Sequence, residues 1–337
     1  MIDLKRYWWP VATADELAKG KPLARTLHDT PLVLFLDDTG QSAALLDRCP
    51  HRHAPLSQGQ VAQGQITCPY HGWRFDQHGT CTRIPGMVIT TPRAGVIPSL
   101  PVITQSGLVW VTLNASGTTR ASQNASHPDA TDCFFITDTV NCTIEEAAEN
   151  FLDGFHTHFV HAGWIRRDKQ RQTVTATVRK IPDGIEARYS SEGLQSGFIS
   201  KVLEGSRTES YGRFLLPGVA EIEYRGKKGL NLLITAWLTP ESNQRIRVHA
   251  RVLTRKGLTP VWLKNFVLRR LFRVILSQDK AILEATRRNK NRFVQTPDDT
   301  LPAGLDTPLD LLGPAIRDLL KGKPVDSRAE RTLVSEL

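Results

Sequence analysis

Cysteine and histidine stand close together at two places in the first quarter of the chain. Cys49 is followed by His51, and after sixteen further residues Cys68 is followed by His71. One thiolate and one imidazole on each of two tight turns can converge on a metal centre. Two centres fit this donor set: a tetrahedral zinc site, and a Rieske [2Fe–2S] cluster in which one iron takes both cysteines and the other both histidines. Because each turn offers one Cys and one His, rather than a Cys pair followed by a His pair, the order favours the cluster.

A second group of metal-binding side chains lies about eighty residues further on. The window from 149 to 161 holds three histidines and two carboxylates. Asp153 and His156 are three residues apart, so on a helix they share a face. His161 follows His156 by five residues, so the helix must end or distort if both are to reach one ion. His158 points away from His156 in this pattern, and we expect it to be a bystander.

A third carboxylate stands on an apolar stripe. Asp279 lies at its centre, and the apolar members at helical spacing are Ile275, Leu276, Ile282 and Leu283. A carboxylate in such surroundings is costly unless it is paired or binds a metal. We weigh two partners for Asp279: a metal ion and a buried arginine such as Arg273. Two imidazoles and one carboxylate, with open positions opposite, form the facial site of non-haem iron(II) oxygenases.

The elements that must position these residues fall into two parts. The first part, to about residue 115, reads as β, with a hairpin of strands 32–36 and 43–46 and a strand over 107–113. A small, polar run from 115 to 128 has the composition of a linker. The second part begins with a helical pattern over 144–158 and continues with strands over 230–238 and 245–252. Two helices, 261–271 and 274–288, follow. We therefore expect an α+β chain with a β-rich domain over 1–115 and a second domain over 116–337.

Composition and charge exclude several classes of protein. The chain has 337 residues, of which 40% are hydrophobic and 23% charged, so it is neither disordered nor fibrous. No apolar run reaches the roughly 20 residues of a membrane helix. No signal-peptide pattern opens the sequence, so we expect a cytoplasmic protein. The net charge of +9 is concentrated between residues 255 and 292. Apolar residues are interleaved with the basic ones in this stretch, so the pattern favours the solvated face of packed helices over a docking site for an acidic protein partner. Nucleic acid is the least favoured partner, because no recognition motif accompanies the charge.

Both groups of side chains resemble one family. Residues 49–57 and 68–75 are similar to the cluster loops of the Rieske non-haem iron oxygenases, except that His53 stands where the family usually has a small residue, often Gly. The spacing Asp-x2-His-x4-His over 153–161 resembles the family's mononuclear iron motif, and residues 278–285 resemble the segment that carries its iron carboxylate. The compact length is similar to the branch that includes vanillate and dicamba demethylases.

The resemblance implies a role for each matched residue. Cys49, His51, Cys68 and His71 would bind the [2Fe–2S] cluster. The mononuclear Fe(2+) would be held by His156, His161 and Asp279. Asp153 matches the carboxylate that links a cluster histidine of a neighbouring subunit to an iron histidine, and Asn150 matches an Asn beside the iron.

The resemblance also implies a fold, partners and a reaction. The fold is an all-β Rieske domain followed by a catalytic domain with an antiparallel, helix-grip-like β-sheet. The partners are a ferredoxin or flavin reductase that supplies electrons from NADH or NADPH, O2, and further copies of the chain in a homotrimer. The substrate would be a small aromatic molecule that can be anionic, because Arg245, Arg247, His249 and Arg251 alternate along one predicted strand. Of these we retain His249 as the candidate substrate-binding residue, although the pattern by itself favours a solvated sheet edge.

The reaction class stays open between related chemistries. Demethylation or hydroxylation by monooxygenation is the first reading, and cis-dihydroxylation of an aromatic ring uses the same residues. A zinc-stabilised binding module and a Rieske electron carrier without catalysis are alternatives of other classes. Neither of these two alternatives explains the metal-ligand pattern over residues 149–161 or the carboxylate of Asp279 on an apolar stripe.

Overall fold

The structure, a computed structural model, divides into two compact units. It describes residues 2–18, 20–88, 96–114, 131–166, 172–190, 207–227, 229–257, 259–294, 305–325 and 331–336. One unit comprises Asp3–Ala121 with Thr239–Asn243, and the other comprises Met1–Ile2, Ser122–Leu238 and Gln244–Leu337. The predicted linker lies outside the described residues.

The first unit is built from short antiparallel strands. They are β1 (Trp9–Thr13), β2 (Leu23–Leu27), β3 (Thr30–Leu36), β4 (Ser42–Leu46), β5 (Gln60–Ala62), β6 (Gln65–Thr67), β7 (Arg74–Phe75), β8 (Cys81–Arg83), β9 (Val102–Gln105) and β10 (Leu108–Val111). They form three sheets, ordered β1-β10-β9, β2-β3-β4 and β5-β6-β7-β8. The predicted hairpin is confirmed as the β3–β4 pair.

The core of this unit reaches the cysteines. Phe35 and Leu45 from the β3–β4 hairpin pack with Phe75 of β7, and all three are fully buried. Cys49 and Cys68 belong to the same cluster of buried side chains. The two cysteines are thus fixed by close packing in the interior of the unit.

The second unit is one large sheet with three described helices. Its strands are β11 (Thr131–Val140), β12 (Thr173–Ile181), β13 (Gly184–Ser190), β14 (Arg207–Leu215), β15 (Val219–Gly226), β16 (Gly229–Ser242), β17 (Arg245–Arg255) and β18 (Arg331–Glu336). The helices are α1 (Ile144–Leu152), α2 (Val261–Val294) and α3 (Gly313–Leu320). The strand order is β11-β17-β16-β15-β14-β13-β12-β18. Each strand pair whose register is resolved is antiparallel, so the predicted α+β class with an antiparallel catalytic sheet is confirmed.

Three predicted helix boundaries need correction. The first helix ends at Leu152 rather than continuing to residue 158. The two helices predicted over 261–288 are one continuous helix, α2, which extends to Val294. No Gly or Pro interrupts residues 261–294, so the sequence contains no helix-breaking residue between the two predicted segments. Helix α3 begins at Gly313 and has Pro314 in its first turn, where Pro is well tolerated.

Helix α2 packs on the sheet through an apolar face. Leu268 is buried among Phe134, Leu232 and Val252, and Phe272 packs against the same cluster. Several basic residues of the 255–292 stretch pair with acids of the same unit: Lys264 with Asp132, Lys280 with Asp138, and Arg287 with Glu146. Part of the concentrated positive charge is therefore compensated within the fold.

The face of the sheet opposite helices α1 and α2 carries a row of paired charged side chains. Glu186, Arg213 and Glu221 are direct cross-strand neighbours on β13, β14 and β15. Arg213 lies 2.5 Å from Glu186 and 2.9 Å from Glu221, and it also pairs with Glu223 at 2.6 Å. The alternating residues Gly212 and Ile222 point to the opposite face, where α1 and α2 pack. The helix-covered face is the one that holds the candidate site. Among the described helices, none is long and apolar enough to cross a membrane.

Candidate functional site

Two loops of the first unit carry the four predicted cluster residues. Cys49 and His51 lie between β4 and β5, and Cys68 and His71 between β6 and β7. Both thiols are buried and both imidazoles are exposed. A Rieske cluster needs this division, with two thiolates on the inner iron and two imidazoles on the outer one.

The two loops have the same backbone hydrogen bonds. The Cys49 N–H donates to Ala54 O at 2.8 Å and the His53 N–H to Cys49 O at 2.9 Å. In the second loop the Cys68 N–H donates to Trp73 O at 2.8 Å, and the Gly72 N–H to Cys68 O at 3.1 Å. His53 is thus the counterpart of Gly72.

Both counterparts adopt left-handed backbone conformations. The φ angle is +60° at His53 and +69° at Gly72. Glycine adopts this region without cost, which explains why a small residue is usual at this position. The His53 ring is exposed, and its Nδ1 accepts a hydrogen bond from Arg48 Nε at 2.8 Å. The ring therefore lies on the protein surface against Arg48.

The metal-binding groups of the first unit are close to one another. The imidazole rings of His51 and His71 have centroids 4.5 Å apart. Trp73 stacks on His51 with an interplanar angle of 8°. Burial, with a further contribution from the neighbouring Cys68 thiol, raises the pKa of the Cys49 thiol to about 11. Two adjacent buried thiols can deprotonate only beside a cation, so this donor set fits an iron–sulfur cluster.

The second group of residues begins at the end of α1. Thr143 starts this helix with a capping box: its hydroxyl accepts the Glu146 N–H, and the Glu146 carboxylate accepts the Thr143 N–H. Asp153 ends the helix with extended backbone angles. Its carboxylate accepts the N–H groups of Phe155 at 2.7 Å and His156 at 3.2 Å, which turns the chain into a single 3₁₀ turn over His156–His158.

This turn corrects one prediction and confirms another. Asp153 and His156 do not share a helix face; they meet because the Asp153 side chain caps the turn that carries His156. The helix does end before the histidines, as the five-residue spacing of His156 and His161 required. His158 is 2% exposed and lies apart from the cavity described below.

Three of the predicted ligands converge on one point. The Nε2 atoms of His156 and His161 lie 3.3 and 3.0 Å from Oδ1 of Asp279, and 3.2 Å from each other. The three side chains come from the turn after α1, from the loop that follows it, and from the middle of α2. Among the described residues they form the one group of histidines, cysteines and carboxylates whose ligand atoms all lie within 4.8 Å of one another. Arg273, the alternative partner of Asp279, points to solvent instead.

The separations test whether an ion fits between these atoms. Two donors bound at about 2.1 Å to one ion lie about 3.0 Å apart at 90° and about 3.4 Å apart at the tetrahedral angle. The observed separations of 3.0, 3.2 and 3.3 Å span the interval between these two values, so one ion can be bound by all three atoms. Two imidazoles and one carboxylate are the donor set of the facial site of non-haem iron(II).

Three further side chains surround these ligands. His161 Nδ1 lies 2.8 Å from Gln278 Oε1, and His156 Nδ1 lies 3.6 Å from an oxygen of Asp153. Asn150 Nδ2 donates to Asp279 Oδ1 at 2.9 Å. Asn150 and Asp153 thus lie where the sequence placed them, beside the predicted ligands. The sequence analysis did not identify Gln278. Its position directly before Asp279 was the one feature of the sequence that could have indicated a place beside the ligands.

The same contacts perturb the titration of the ligands. Burial alone would raise the pKa of Asp279, but hydrogen bonds from His156 and His161 outweigh it and lower that pKa to about 2. Burial would lower the pKa of His156, yet Asp153 and Asp279 raise it to about 9. Asp153 itself has a lowered pKa, since the hydrogen bonds from His156 and the Phe155 N–H exceed the effect of burial. The carboxylates are therefore ready to balance a cation at neutral pH.

A largely apolar cavity opens beside the three ligands. It encloses about 170 Å³ and is lined by Asp279, His156 and His161, together with apolar residues of the sheet, of α1 and of α2. The apolar lining includes Phe151, Ile222, Ile234, Val248, Ala250, Phe272 and Leu276. Such a cavity suits a small apolar or aromatic molecule held next to the metal.

The cavity corrects the prediction for His249. Val248, Ala250 and Val252 of β17 line it, so the alternating residues His249 and Arg251 face the other side of the sheet. His249 is fully buried there. Two arginines that the sequence analysis missed, Arg166 and Arg207, line the cavity instead.

Comparison with known proteins agrees with this geometry. The sequence model of the Rieske [2Fe-2S] domain matches residues 7–100, and that of the vanillate O-demethylase oxygenase C-terminal domain matches residues 140–323. The oxygenase component of dicamba O-demethylase from Stenotrophomonas maltophilia is 31% identical over 224 residues, 62% of each chain. A methylxanthine N1-demethylase from Pseudomonas putida is 32% identical over 172 residues, 48% of each chain. These alignments span less than two thirds of the relatives' length.

A solved structure extends the similarity over nearly the whole chain. The crystal structure of dicamba monooxygenase bound to dicamba superposes with a TM-score of 0.78 and 25% identity. The superposition covers 96% of this chain and 98% of that one. Both units thus have counterparts in a single relative.

Proposed function

The chain belongs to the Rieske oxygenases whose C-terminal domain is of the vanillate O-demethylase type, and we propose that it is the oxygenase component of a multicomponent monooxygenase. It hydroxylates or demethylates a small aromatic substrate at the expense of O2 and NAD(P)H. When bound, the cluster would supply one-electron transfer and the mononuclear iron the activation of O2. A separate ferredoxin or flavin reductase delivers the electrons.

One observation carries this proposal. His156, His161 and Asp279 form a facial set of donors that borders an apolar cavity. A facial set leaves three positions of an octahedral ion free for O2, water and substrate approach, which a closed structural site does not. The apolar lining keeps bulk water away from those positions. The names of the relatives, a dicamba and a methylxanthine demethylase, favour demethylation over ring dihydroxylation.

The residues of the chain have distinct parts in this function. Cys49, His51, Cys68 and His71 hold the cluster, and His156, His161 and Asp279 hold the iron. Gln278 orients His161 from its outer nitrogen, and Asn150 orients Asp279. Asp153 holds the turn that carries His156 by accepting the His156 N–H, and its carboxylate lies 3.6 Å from the outer nitrogen of the His156 ring.

Asp153 also links subunits in the proposal. Its side chain is 39% exposed although it touches His156. It can therefore accept a hydrogen bond from a cluster histidine of a neighbouring chain and pass an electron to His156. A homotrimer of cytoplasmic subunits, each with its domain boundary near residue 115, is the assembly we propose for this transfer.

A reconstituted assay tests the function. The protein, a ferredoxin and its NADH-dependent reductase are incubated with methoxy- and N-methyl-substituted arenes, and formaldehyde and O2 consumption are measured. We expect substrate-dependent O2 uptake with formaldehyde in equal amount. A cis-dihydrodiol product without formaldehyde would contradict monooxygenation and favour the dioxygenase alternative.

A further inference from the structure

The first two turns of α2 present large apolar side chains to solvent. Their exposed members, which we call the apolar patch, are Val261, Trp262, Leu263, Phe266 and Val267. Trp262 is 73% exposed and Phe266 is 52% exposed. On the other side of the helix, Leu268 and Phe272 pack against the sheet. The helix is thus apolar on both sides here, although a surface helix normally turns a polar face to water. Adjoining exposed apolar side chains of this kind mark an interaction surface.

The second half of α2 shows that the helix does not require an apolar outer side. A helix returns to the same side after about five turns, which take roughly 18 residues. At this distance Leu263, Phe266 and Val267 of the apolar patch correspond to Ala281, Glu284 and Ala285. Along the same line, the second half of the helix therefore meets solvent with small or charged side chains.

Positive charge adjoins the apolar patch. Arg269, Arg270 and Arg273 are exposed and directly follow it in the helix. No Asp or Glu occurs in the sequence between residues 242 and 278. The basic residues of α2 that form ion pairs with carboxylates of the described residues are Lys264, Lys280, Arg287 and Lys290. The three exposed arginines are not among them, so their charge is available to an anionic partner.

The charge and the apolar area form one surface. The guanidinium of Arg270 lies over the ring of Phe266, 4.2 Å from its centroid. Arg270 follows Phe266 by four residues and Leu263 by seven, so the three side chains lie on one line along the outer side of the helix. A partner must therefore offer negative charge and apolar contact at the same place.

A bilayer with anionic headgroups offers this combination. Its phosphates attract basic side chains, and the boundary between headgroups and acyl chains accepts the apolar side of a helix to a depth of about 5–10 Å. Trp is enriched at this boundary. A protein partner of ordinary size contacts about 20–30 residues on each side, many more than the apolar patch and the three arginines supply. A strip along one helix suits a planar surface better.

We propose that the first half of α2 binds the surface of an anionic lipid bilayer. Trp262 and Phe266 enter the boundary layer, and the three arginines contact lipid phosphates. The solvated helix face predicted for this stretch accounts for the arginines but not for the exposed Trp262 and Phe266. The inference concerns a surface of the second unit and does not depend on the proposed oxygenase function.

Vesicle co-sedimentation tests the proposal. Purified holoenzyme is mixed with vesicles of phosphatidylcholine alone, or of phosphatidylcholine and phosphatidylglycerol in equal parts. We expect partitioning to the mixed vesicles to be about tenfold or more stronger and to weaken as salt is added. The double variant Arg270→Gln, Arg273→Gln should lower it about tenfold or more, since each arginine near an anionic surface contributes about fivefold. Trp262→Ser with Phe266→Ser should lower it at least as much.

Two controls separate this surface from a general effect of charge. Arg288→Gln with Arg292→Gln removes the same charge from exposed positions in the second half of α2 and should change partitioning less than threefold, by about the effect of net charge alone. Lipids brominated in their acyl chains should quench part of the tryptophan fluorescence of the bound protein. Trp262→Phe keeps an aromatic ring at this position, so it should still bind but lose that quenching.

Several results would overturn the proposal. Equal partitioning to both kinds of vesicle, or partitioning to neither, would do so. An equal loss in the Arg270→Gln, Arg273→Gln variant and in its charge-matched control would show attraction by net charge instead of a binding surface. If the wild type does not bind vesicles and Trp262→Ser with Phe266→Ser changes the oligomeric state in sedimentation velocity, the apolar patch is a contact between copies of this chain. Thermal unfolding and the cluster EPR signal verify that each variant is folded.

Discussion

Nδ1 of His161 lies 2.8 Å from Oε1 of Gln278, the residue that directly precedes Asp279 in α2. With its proton on Nδ1, His161 donates to this oxygen and presents the lone pair of Nε2 to the metal position. Two consecutive residues of one helix thus have different tasks in the proposed site: Asp279 would bind the ion, and Gln278 would fix the ring of His161.

Gln278→Leu keeps the volume of the side chain and removes the acceptor. Loss of such an outer partner typically weakens metal binding by about 10- to 100-fold. We expect that loss in anaerobic Fe(II) titrations against a competing chelator, whereas Gln278→Glu, which keeps an acceptor, should bind within a few-fold of wild type. Ser277→Ala, one position away on the exposed side of the helix, is the matched control. Wild-type affinity in Gln278→Leu would show that His161 needs no outer partner.

Asp153→Asn tests the role of Asp153 in electron transfer. Asn keeps an oxygen that can accept the Phe155 N–H, so the turn that carries His156 should persist. The change removes the negative charge next to His156. We expect turnover to fall by about 100-fold or more while both metal centres stay loaded. Metal analysis beside stopped-flow reduction of the cluster checks this. Loss of iron together with activity would mean that Asp153 is a ligand.

His53 provides a test of the cluster loops. Because His53 has a φ of +60°, His53→Gly should be tolerated and should retain the full Rieske EPR signal. His53→Val places a β-branched residue in the same conformation and should destabilise the unit by about 1–3 kcal/mol. Thermal unfolding and EPR of both variants check this. Disappearance of the signal in His53→Gly would contradict the surface role and identify His53 as a ligand.

His28 makes the stability of the first unit depend on pH. Burial, with a smaller effect of Lys5, lowers the pKa of His28 to about 4. In the unfolded chain the group takes a proton near pH 6.5, so between pH 6.5 and 4 the unfolded state binds more protons than the folded one. The free energy of unfolding should therefore fall as the pH is lowered through this range.

A variant isolates the contribution of His28. His28→Asn removes the titration and is tolerated at the positive φ of this position. Urea unfolding followed by tryptophan fluorescence should show a smaller decline of the unfolding free energy in the variant; Trp9, whose ring centroid lies 5.8 Å from that of His28, contributes to this signal. Identical pH profiles for the two proteins would show that His28 titrates normally.

The sequence was sufficient to predict candidate ligands but not the outer partners of those ligands. Cys49, His51, Cys68 and His71 could be proposed because metal ligands on tight turns have characteristic spacing. Asp279 could be found because a carboxylate on an apolar stripe needs a partner. The role of Gln278 depends on a contact with His161, 117 residues away, and no local pattern encodes it.

The limits of helix prediction have equally local causes. Helix α1 ends early because the Asp153 carboxylate accepts hydrogen bonds from the N–H groups of Phe155 and His156, a side-chain effect that apolar periodicity does not detect.

His249 was placed correctly on a strand, but the sequence could not tell which of the two alternating sets of β17 residues faces the cavity. Only the position of α1 and α2 over one face of the sheet decides that.

The central claim, that one chain holds a Rieske cluster and a mononuclear iron, is tested most directly by metal analysis and EPR of anaerobically purified protein. We expect about three irons per chain and a Rieske signal on reduction, with the signal lost in Cys49→Ser and about one iron lost in Asp279→Ala. A colourless protein with one zinc and no iron would contradict it and leave a zinc-stabilised binding module as the better description.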